Sequence, residues 1–332
     1  MRLDWASLLE ILRQCQRVVL TSHIRPDCDA LGSELGMAGI LRAIGKDVRI
    51  VNAQATPPGL RWIDPDGLIE SLAEQVKPAD LADRDLLIVL DTSAWAQLGG
   101  MGEVLKSMRE RVLVVDHHVS EDDLGDRWFK DTSAEATARI VYEIGVRLRV
   151  PFTERIATPL YAGLSTDTGG FRFPSTSGET FRIAARLVDA GAHPPTIYRE
   201  LFEQDTLARL HLVGRTLAGA RASHGGRVIT SIVRQADIKE SAATPHDTED
   251  LINMTLVVKG TQVAVILIEQ PDGRIKVSFR SRSPVDCSAL AGRFGGGGHK
   301  AAAGAILDGP FDAALQRVSS AVDEAVTAAG PA

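Results

Sequence analysis

At 332 residues the chain exceeds what one ordinary hydrophobic core serves, so two domains are expected. Its 44% hydrophobic and 24% charged residues are those of a globular protein, and the lack of an apolar run long enough for a bilayer excludes a membrane span. A net charge of −6 excludes a broad basic surface for long duplex nucleic acid but leaves small nucleotides open, because bound divalent cations would offset acidic groups locally.

Trp5, Leu8, Leu9 and Leu12 at helical spacing predict an N-terminal amphipathic helix of the mature fold, without a signal pattern. Arg17–Thr21 predicts a buried strand. A helix follows from about Ala30, with Leu31, Leu35, Ala38 and Leu41 on one face. Gly32, Gly36 and Gly39 on that helix are costly by propensity, which predicts a close approach to another backbone. Further strands are predicted over residues 47–51, 85–90 and 111–115. Strands alternating with helical segments give an α/β fold, its first domain a doubly wound, mainly parallel sheet. A helical pattern ahead of Asp167 holds Pro159, which predicts a kink or a late helix start.

Residues 196–221 read as a linker helix, stopped by Gly225 and Gly226. Beyond it, strands are predicted over 227–233, 262–269 and 274–280, the last two joined by a Pro271-Asp272-Gly273 turn. The expected division is residues 1–190, a linker region 191–224 and a smaller α/β domain 225–332, with a cleft between the domains. Cys15, Cys28 and Cys287 form no CxxC pair and no disulfide framework, which suits a reducing cytoplasm.

Chemistry-bearing residues recur where predicted elements end. The first block runs Ser22-His23-Ile24-Arg25-Pro26-Asp27-Cys28-Asp29. Asp27 and Asp29 flank one residue, and two carboxylates so placed can each take a different metal; a turn that caps the following helix fits the same pattern. Asp91 follows the apolar run 86–90, and Asp116-His117-His118 follows 112–115. One histidine of that pair would bind metal while Asp116 orients a ring; adjacent side chains diverge in an extended segment, which gives His118 to the substrate. Asp167 sits in a threonine- and glycine-rich turn. Carboxylates and imidazoles gathered at the carboxyl ends of parallel strands would repel and desolvate one another unless a cation held them, so the set predicts a metal-dependent enzyme. Near the C-terminus, Gly295-Gly296-Gly297-Gly298-His299 would turn backbone N–H groups toward a phosphate, with Arg280 or His299 adding positive charge. His193, His211, His224 and His246 lie in polar segments and are expected to be solvated.

The ordered motifs Ser-His-x-x-Pro-Asp-x-Asp-Ala-x-Gly-Ser, Asp-Thr-Ser, Asp-His-His, Thr-Asp-Thr-Gly-x-Phe-Arg-Phe and Gly-Gly-Gly-Gly-His resemble those of the DHH/DHHA1 phosphoesterases, from His23 to about Leu307. Length and the two-domain plan resemble its NrnA-type branch, which degrades very short RNA and removes the 3′-phosphate of adenosine 3′,5′-bisphosphate (pAp), usually with manganese. The resemblance implies a first metal on His23, Asp27 and Asp91, and a second on Asp29, Asp91, His117 and Asp167, with Asp91 bridging. It implies that His118 contacts the scissile phosphate, that Asp116 supports the histidines, and that Arg280, His299 and the loop of Gly296, Gly297 and Gly298 hold the distal phosphate or nucleotide. Two divalent cations are expected, Mn²⁺ first, with Mg²⁺ or Co²⁺ as substitutes, sharing a water activated for in-line attack. The implied partners are short single-stranded RNA or small nucleotides, with a homodimer open and a cytoplasmic location.

Cys28 departs from the glycine usual between the two aspartates, and would be strained if that position needs a positive φ. The same residues also suit a cyclic di-AMP or pApA phosphodiesterase. A different class, an inactive nucleotide-binding regulator, would not need every expected metal ligand to be present.

Overall fold

The computed structural model describes residues 4–72, 74–119, 122–125 and 127–330. They form two compact units, residues 1–204 and 205–332. Along the first run α1 (Trp5–Gln14), β1 (Arg17–Thr21), α2 (Cys28–Ala43), β2 (Asp47–Asn52), β3 (Ile69–Ser71), β4 (Leu86–Leu90), α3 (Met101–Ser107), β5 (Val112–Asp116) and β6 (Arg127–Lys130). Four helices complete it: α4 (Thr137–Arg147), α5 (Glu154–Asp167), α6 (Gly178–Asp189) and α7 (Pro194–Phe202).

The six strands pair in the order β3-β2-β1-β4-β5-β6, every pair parallel. The order reverses between β1 and β4, the place where a doubly wound sheet opens a crevice at the carboxyl ends of its strands. Both faces of the sheet are covered. Val18 and Leu20 of β1 pack into one cluster with Leu31, Leu41 and Leu160, while Val19 packs into another with Met101 and Leu105. Because β4 and β5 are buried along their whole length and β1 at all but Arg17, they read as continuous apolar runs, which is why these three are legible to within a residue or so.

The glycines of α2 do what their cost suggests. A Cβ on Gly32 would stand 2.3 Å from the carbonyl oxygen of Pro159, and one on Gly36 2.4 Å from the Leu160 side chain. The two helices therefore meet backbone to backbone. Pro159 does not delay α5, which begins at Glu154 with Thr153 as its N-cap residue and runs through it. Asp167 is the last residue of that helix, where the sequence suggested a turn. The stretch 196–221, expected as one helix, breaks: α7 ends at Phe202, and the Thr206 side chain accepts from the Arg209 N–H to start the next helix.

The second unit holds α8 (Leu207–Ala218), β7 (Arg221–Ser223), β8 (Val228–Val233), α9 (Gln235–Glu240), α10 (Leu251–Thr255), β9 (Val263–Glu269), β10 (Ile275–Ser281), α11 (Cys287–Gly292), β11 (Gly297–His299), β12 (Ala302–Leu307) and α12 (Phe311–Ala328). Its sheet order is β11-β12-β10-β9-β8-β7, antiparallel except for β8–β9. Val277, Phe279, Ala303 and Ala305 pack one face against α11 and α12; Ala264, Ile266 and Val233 meet α8 to α10 on the other. The glycine run, expected as a loop, continues into the edge strand β11.

The α2–α5 contact sets the first expected outcome. Gly32→Ala has no room for its methyl group against a backbone carbonyl, so overpacking should cost about 1–3 kcal/mol. Urea denaturation should show a lower midpoint; an unchanged midpoint would remove the close approach as a constraint.

Candidate active site

The turn after β1 carries His23, and its backbone is anchored by the Ile24 N–H donating to the Gln97 carbonyl at 2.6 Å. Asp27 closes this turn as the N-cap of α2, its Oδ1 accepting from the N–H groups of Asp29 and Ala30 at 3.0 and 3.1 Å. The capping role and a ligand role coexist, since the same oxygen lies 3.9 Å from His23 Nε2. Asp91 leaves β4 with φ at +61°, a left-handed conformation uncommon outside glycine and most tolerable for Asp or Asn. This twist puts its carboxylate, 2% exposed, among the histidines: Oδ2 is 3.5 Å from His23 Nε2 and Oδ1 is 3.5 Å from His117 Nε2.

Backbone carbonyls fix both rings. His23 Nδ1 faces the Ile24 carbonyl at 3.0 Å and His117 Nδ1 the Ala134 carbonyl at 3.1 Å. A carbonyl only accepts, so in the neutral ring each Nδ1 carries the proton and each Nε2 turns its lone pair toward the carboxylates. His117 Nε2 also lies 3.2 Å from Asp167 Oδ2. Donor atoms of His23, Asp27 and Asp91 lie within 4.8 Å of one another, and so do those of Asp29, His117 and Asp167. Asp91, His117 and His118 meet the same test, but the His118 atom facing Asp91, at 3.8 Å, is Nδ1, and that nitrogen is engaged by Asp116 at 2.8 Å. The geometry thus brings together the six residues expected as ligands, while Asp116 engages the Nδ1 of the second histidine of the pair.

Asp29 does more than its motif implies. Fully buried, it accepts from the Thr137 and Ala138 N–H groups at 2.7 and 2.9 Å, the first turn of α4. The Thr137 hydroxyl donates to Asp91 Oδ1 at 2.9 Å. Sequence reasoning missed Thr137, because a threonine at a helix start carries no signal of contacts to residues 46 and 108 positions away. It also missed Lys130, which donates to Ser93 Oγ at 2.8 Å and stands 3.6 Å from Asp116 Oδ2. Ser93 in turn donates to Asp116 Oδ2 at 2.6 Å.

These contacts sort the acids into two kinds. Burial, with Asp29 and Asp27 as neighbours, pushes Asp91 well above the usual carboxylate range, and the same causes push Asp167 up to about 8. Burial raises Asp29 too, against the pull of His117. Asp116 goes the other way: although burial opposes it, bonds from His118 and Ser93 hold its carboxyl below the usual range. The bond to Asp116 raises His118 in return, leaving its half-exposed ring easier to protonate. Clustered acids that resist ionising are what a divalent cation would neutralise, and the donor set of imidazole and carboxylate suits one.

Cys28 is not strained. It opens α2 with ordinary helical geometry, 3% exposed, and burial beside Asp27 and Asp29 pushes its thiol far up, so it is an inert packing group. In the second unit, Arg280 on β10 stands opposite Ala302 on β12, and Ala302 stands opposite His299 on β11. Directly opposed residues share a face, so Arg280 and His299 flank one small side chain. The next row is Ser278, Gly304 and Gly297. Gly296 admits no side chain, since a Cβ would meet the Gly304 carbonyl oxygen at 2.2 Å. Two cationic or hydrogen-bonding groups thus border a floor nearly free of side chains. Of the remaining histidines, His193 caps α7, while His224 and His246 pair with Asp323 and Glu249.

Residues 17–164 match the DHH family N-terminal domain and residues 225–328 the DHHA1 domain. The chain is 34% identical to the bifunctional oligoribonuclease and PAP phosphatase NrnA of Thermus thermophilus, over 94% of this chain and 91% of that protein. It is 27% identical to the Bacillus subtilis protein of the same name, over 90% and 92%. The cyclic-di-AMP phosphodiesterase PdeA of Listeria monocytogenes is 26% identical over 96% of this chain but only 49% of its own length. Among solved structures, an exopolyphosphatase-related protein from Bacteroides fragilis superposes with a TM-score of 0.86 at 24% identity, covering 96% of this chain and 95% of that one, which speaks to the fold.

An Asp167 carboxyl pushed up to about 8 keeps its proton at neutral pH in the metal-free protein. A cation that takes it as a ligand must displace that proton. Calorimetric titration of Mn²⁺ near pH 7, in buffers of different ionisation enthalpy, should therefore report proton release, and affinity should rise toward pH 8. Binding without proton release would show that this carboxyl is not a ligand.

Proposed function

The chain belongs to the DHH/DHHA1 phosphoesterases, and on that footing we propose that it hydrolyses short single-stranded RNA oligonucleotides and the 3′-phosphate of pAp. The observation that carries the proposal is the sharing of Asp91: its two oxygens face two separate imidazole lone pairs, each inside its own group of acids. His23, Asp27 and Asp91 would hold one divalent cation; Asp29, Asp91, His117 and Asp167 would hold a second, with Mn²⁺ the favoured ion. Such a pair, when bound, supplies a nucleophilic water at neutral pH and positive charge for the phosphoryl oxygens.

The chain's own groups arrange the rest. Thr137 fixes the Asp91 carboxylate by its hydroxyl and Asp29 by its backbone N–H. Asp116, gripped by Ser93 and close to Lys130, holds the proton of His118 on Nδ1 and orients the ring. This leaves Nε2 of a readily protonated imidazole to hydrogen-bond a phosphoryl oxygen and stabilise developing charge. Arg280 and His299 would take a terminal phosphate or nucleotide over the Ala302–Gly304 floor, a site for a small substrate that a long duplex has no use for. Three buried free cysteines favour a cytoplasmic location, and no helix among the described residues is long and apolar enough to cross a membrane.

Purified protein with Mn²⁺ should turn over pAp and labelled RNA of two to five nucleotides, and Asp91→Asn should lose this activity by several orders of magnitude while keeping its fold. Cleavage of cyclic di-AMP in place of both would move the substrate to the cyclic dinucleotides, and turnover of none would leave a binding protein. Arg280→Ala should raise KM for the short RNAs with kcat nearly unchanged, since it removes binding common to ground and transition states. An unaltered KM would take Arg280 out of the substrate site.

A further inference from the structure

Beneath the His23 turn lies a buried polar cluster that the site chemistry does not use. Glu34, on the second turn of α2, is 0% exposed and has no basic partner among the described residues. Its Oε2 accepts from Asn52 Nδ2 at 2.9 Å. The Asn52 carbonyl oxygen then accepts from the Ser22 N–H at 3.1 Å and faces the Thr21 hydroxyl at 3.4 Å. Asn52 ends β2 and Thr21 ends β1, so this amide ties the tips of two strands just before His23. Two buried atoms remain unpaired: Glu34 Oε1 and Ser22 Oγ. The Ser22 hydroxyl faces the carboxyl as its second hydrogen-bonding side chain, at a geometry short of a full bond.

A serine hydroxyl donates as well as accepts, so burial without a cation, and not the unpaired atoms, sets the charge of this carboxyl. An ionised carboxylate only accepts, and here it would be a fully desolvated charge whose charged neighbour, Asp64, is itself an acid. A neutral carboxylic acid accepts from Asn52 at Oε2 and donates from Oε1 to Ser22 Oγ. We propose that Glu34 is a positioning residue that works as a neutral acid, clamping Ser22 and Asn52 so that His23 presents its Nε2 lone pair to the first cation position. The inference rests on the metal site proposed above and adds to it a residue outside the ligand set. Burial pushes Glu34 up to about 8, in keeping with a proton retained at neutral pH; Asn52 and Ser22, the other groups facing it, do not titrate in this range.

Glutamine reproduces the neutral acid atom for atom, accepting from Asn52 and donating to Ser22, whereas leucine keeps the volume and strands both partners. By Mn²⁺ titration, Glu34→Gln should bind within about twofold of the wild type and Glu34→Leu about 10–100-fold more weakly, the range seen when groups orienting a ligand are lost. Thermal melts of the metal-free protein give a readout independent of any substrate. From the ordinary glutamate range up to about 8, the folded wild type holds a proton that the unfolded chain gives up. Its stability should fall across that span, and Glu34→Gln should fall less steeply, with only the raised site carboxyls such as Asp167 still contributing. Loss of Mn²⁺ affinity in Glu34→Gln as large as in Glu34→Leu, wild-type affinity in Glu34→Leu, or parallel melting profiles would each overturn the proposal. If Glu34→Leu does not fold, Ser22→Ala, which removes the acceptor, carries the same comparison. Mn²⁺ affinity that depends on Glu34 in a protein that hydrolyses nothing would remove the proposed function alone; RNA hydrolysis with Glu34→Leu unaffected would remove this inference alone.

Discussion

Three crowded carboxyls, the buried Asp29 and Asp91 and the partly exposed Asp167, share one end of one sheet, and the rest of the first unit is organised around the cost of keeping them there. Each is pushed toward its protonated form by burial, and for Asp91 and Asp167 the neighbouring acids add to the push. A fold can meet such a demand by opening the site to water, by protonation, or by a cation. Water is largely shut out here, since Asp91 is 2% exposed and Asp29 fully covered. The lone pairs of His23 and His117 turned inward make the third solution the one the geometry serves. An uncommon backbone conformation at Asp91 is held for the same end, as strain at a functional residue tends to be.

The supports of this cluster come from across the chain. The switch point between β1 and β4 lays the His23 turn beside Asp91, and β5 delivers Asp116, His117 and His118 next door. α5 brings Asp167 at its carboxyl end, and it lies close enough only because Gly32 and Gly36 let α2 seat on it. The first turn of α4 completes the set by donating its free N–H groups to Asp29. Those N–H groups have no partner within their own helix, so a carboxylate there satisfies both sides at once. Packing and site chemistry are therefore one problem: the helix contact that the glycines permit also sets Asp167 beside His117.

The sequence made this site legible where an apolar run ended in a polar block. β1, β4 and β5 are buried on both faces, so His23, Asp91 and Asp116 stood out at their ends. What escaped was of two kinds. Thr137 and Lys130 act through contacts that span dozens of residues, and no local spacing encodes these. β11 and β12 escaped because Gly297, Gly298, Ala302, Ala303 and Gly304 lack the branched and aromatic side chains that mark strands. Their small residues exist to leave space, and space has no periodicity. The condition for strain at Cys28, a positive φ, is not met for a simpler reason: the residue already belongs to α2, where cysteine fits.

Glu34 and the aspartate cluster lie on the same helix-and-sheet layer, yet they solve burial in opposite ways. Glu34 has amide and hydroxyl neighbours, which can share a proton but cannot neutralise a charge. Asp29 and Asp91 have backbone and hydroxyl donors together with imidazole lone pairs, which stabilise the charged form once a cation supplies the missing positive charge. Neutrality at Glu34 matters for the cluster as well. A second uncompensated carboxylate under the His23 turn would push the neighbouring carboxyls further toward protonation. On the proposed reading, an acid that keeps its proton and acids that surrender theirs to a cation let one layer of the fold carry rigidity and reactivity within a few residues of each other.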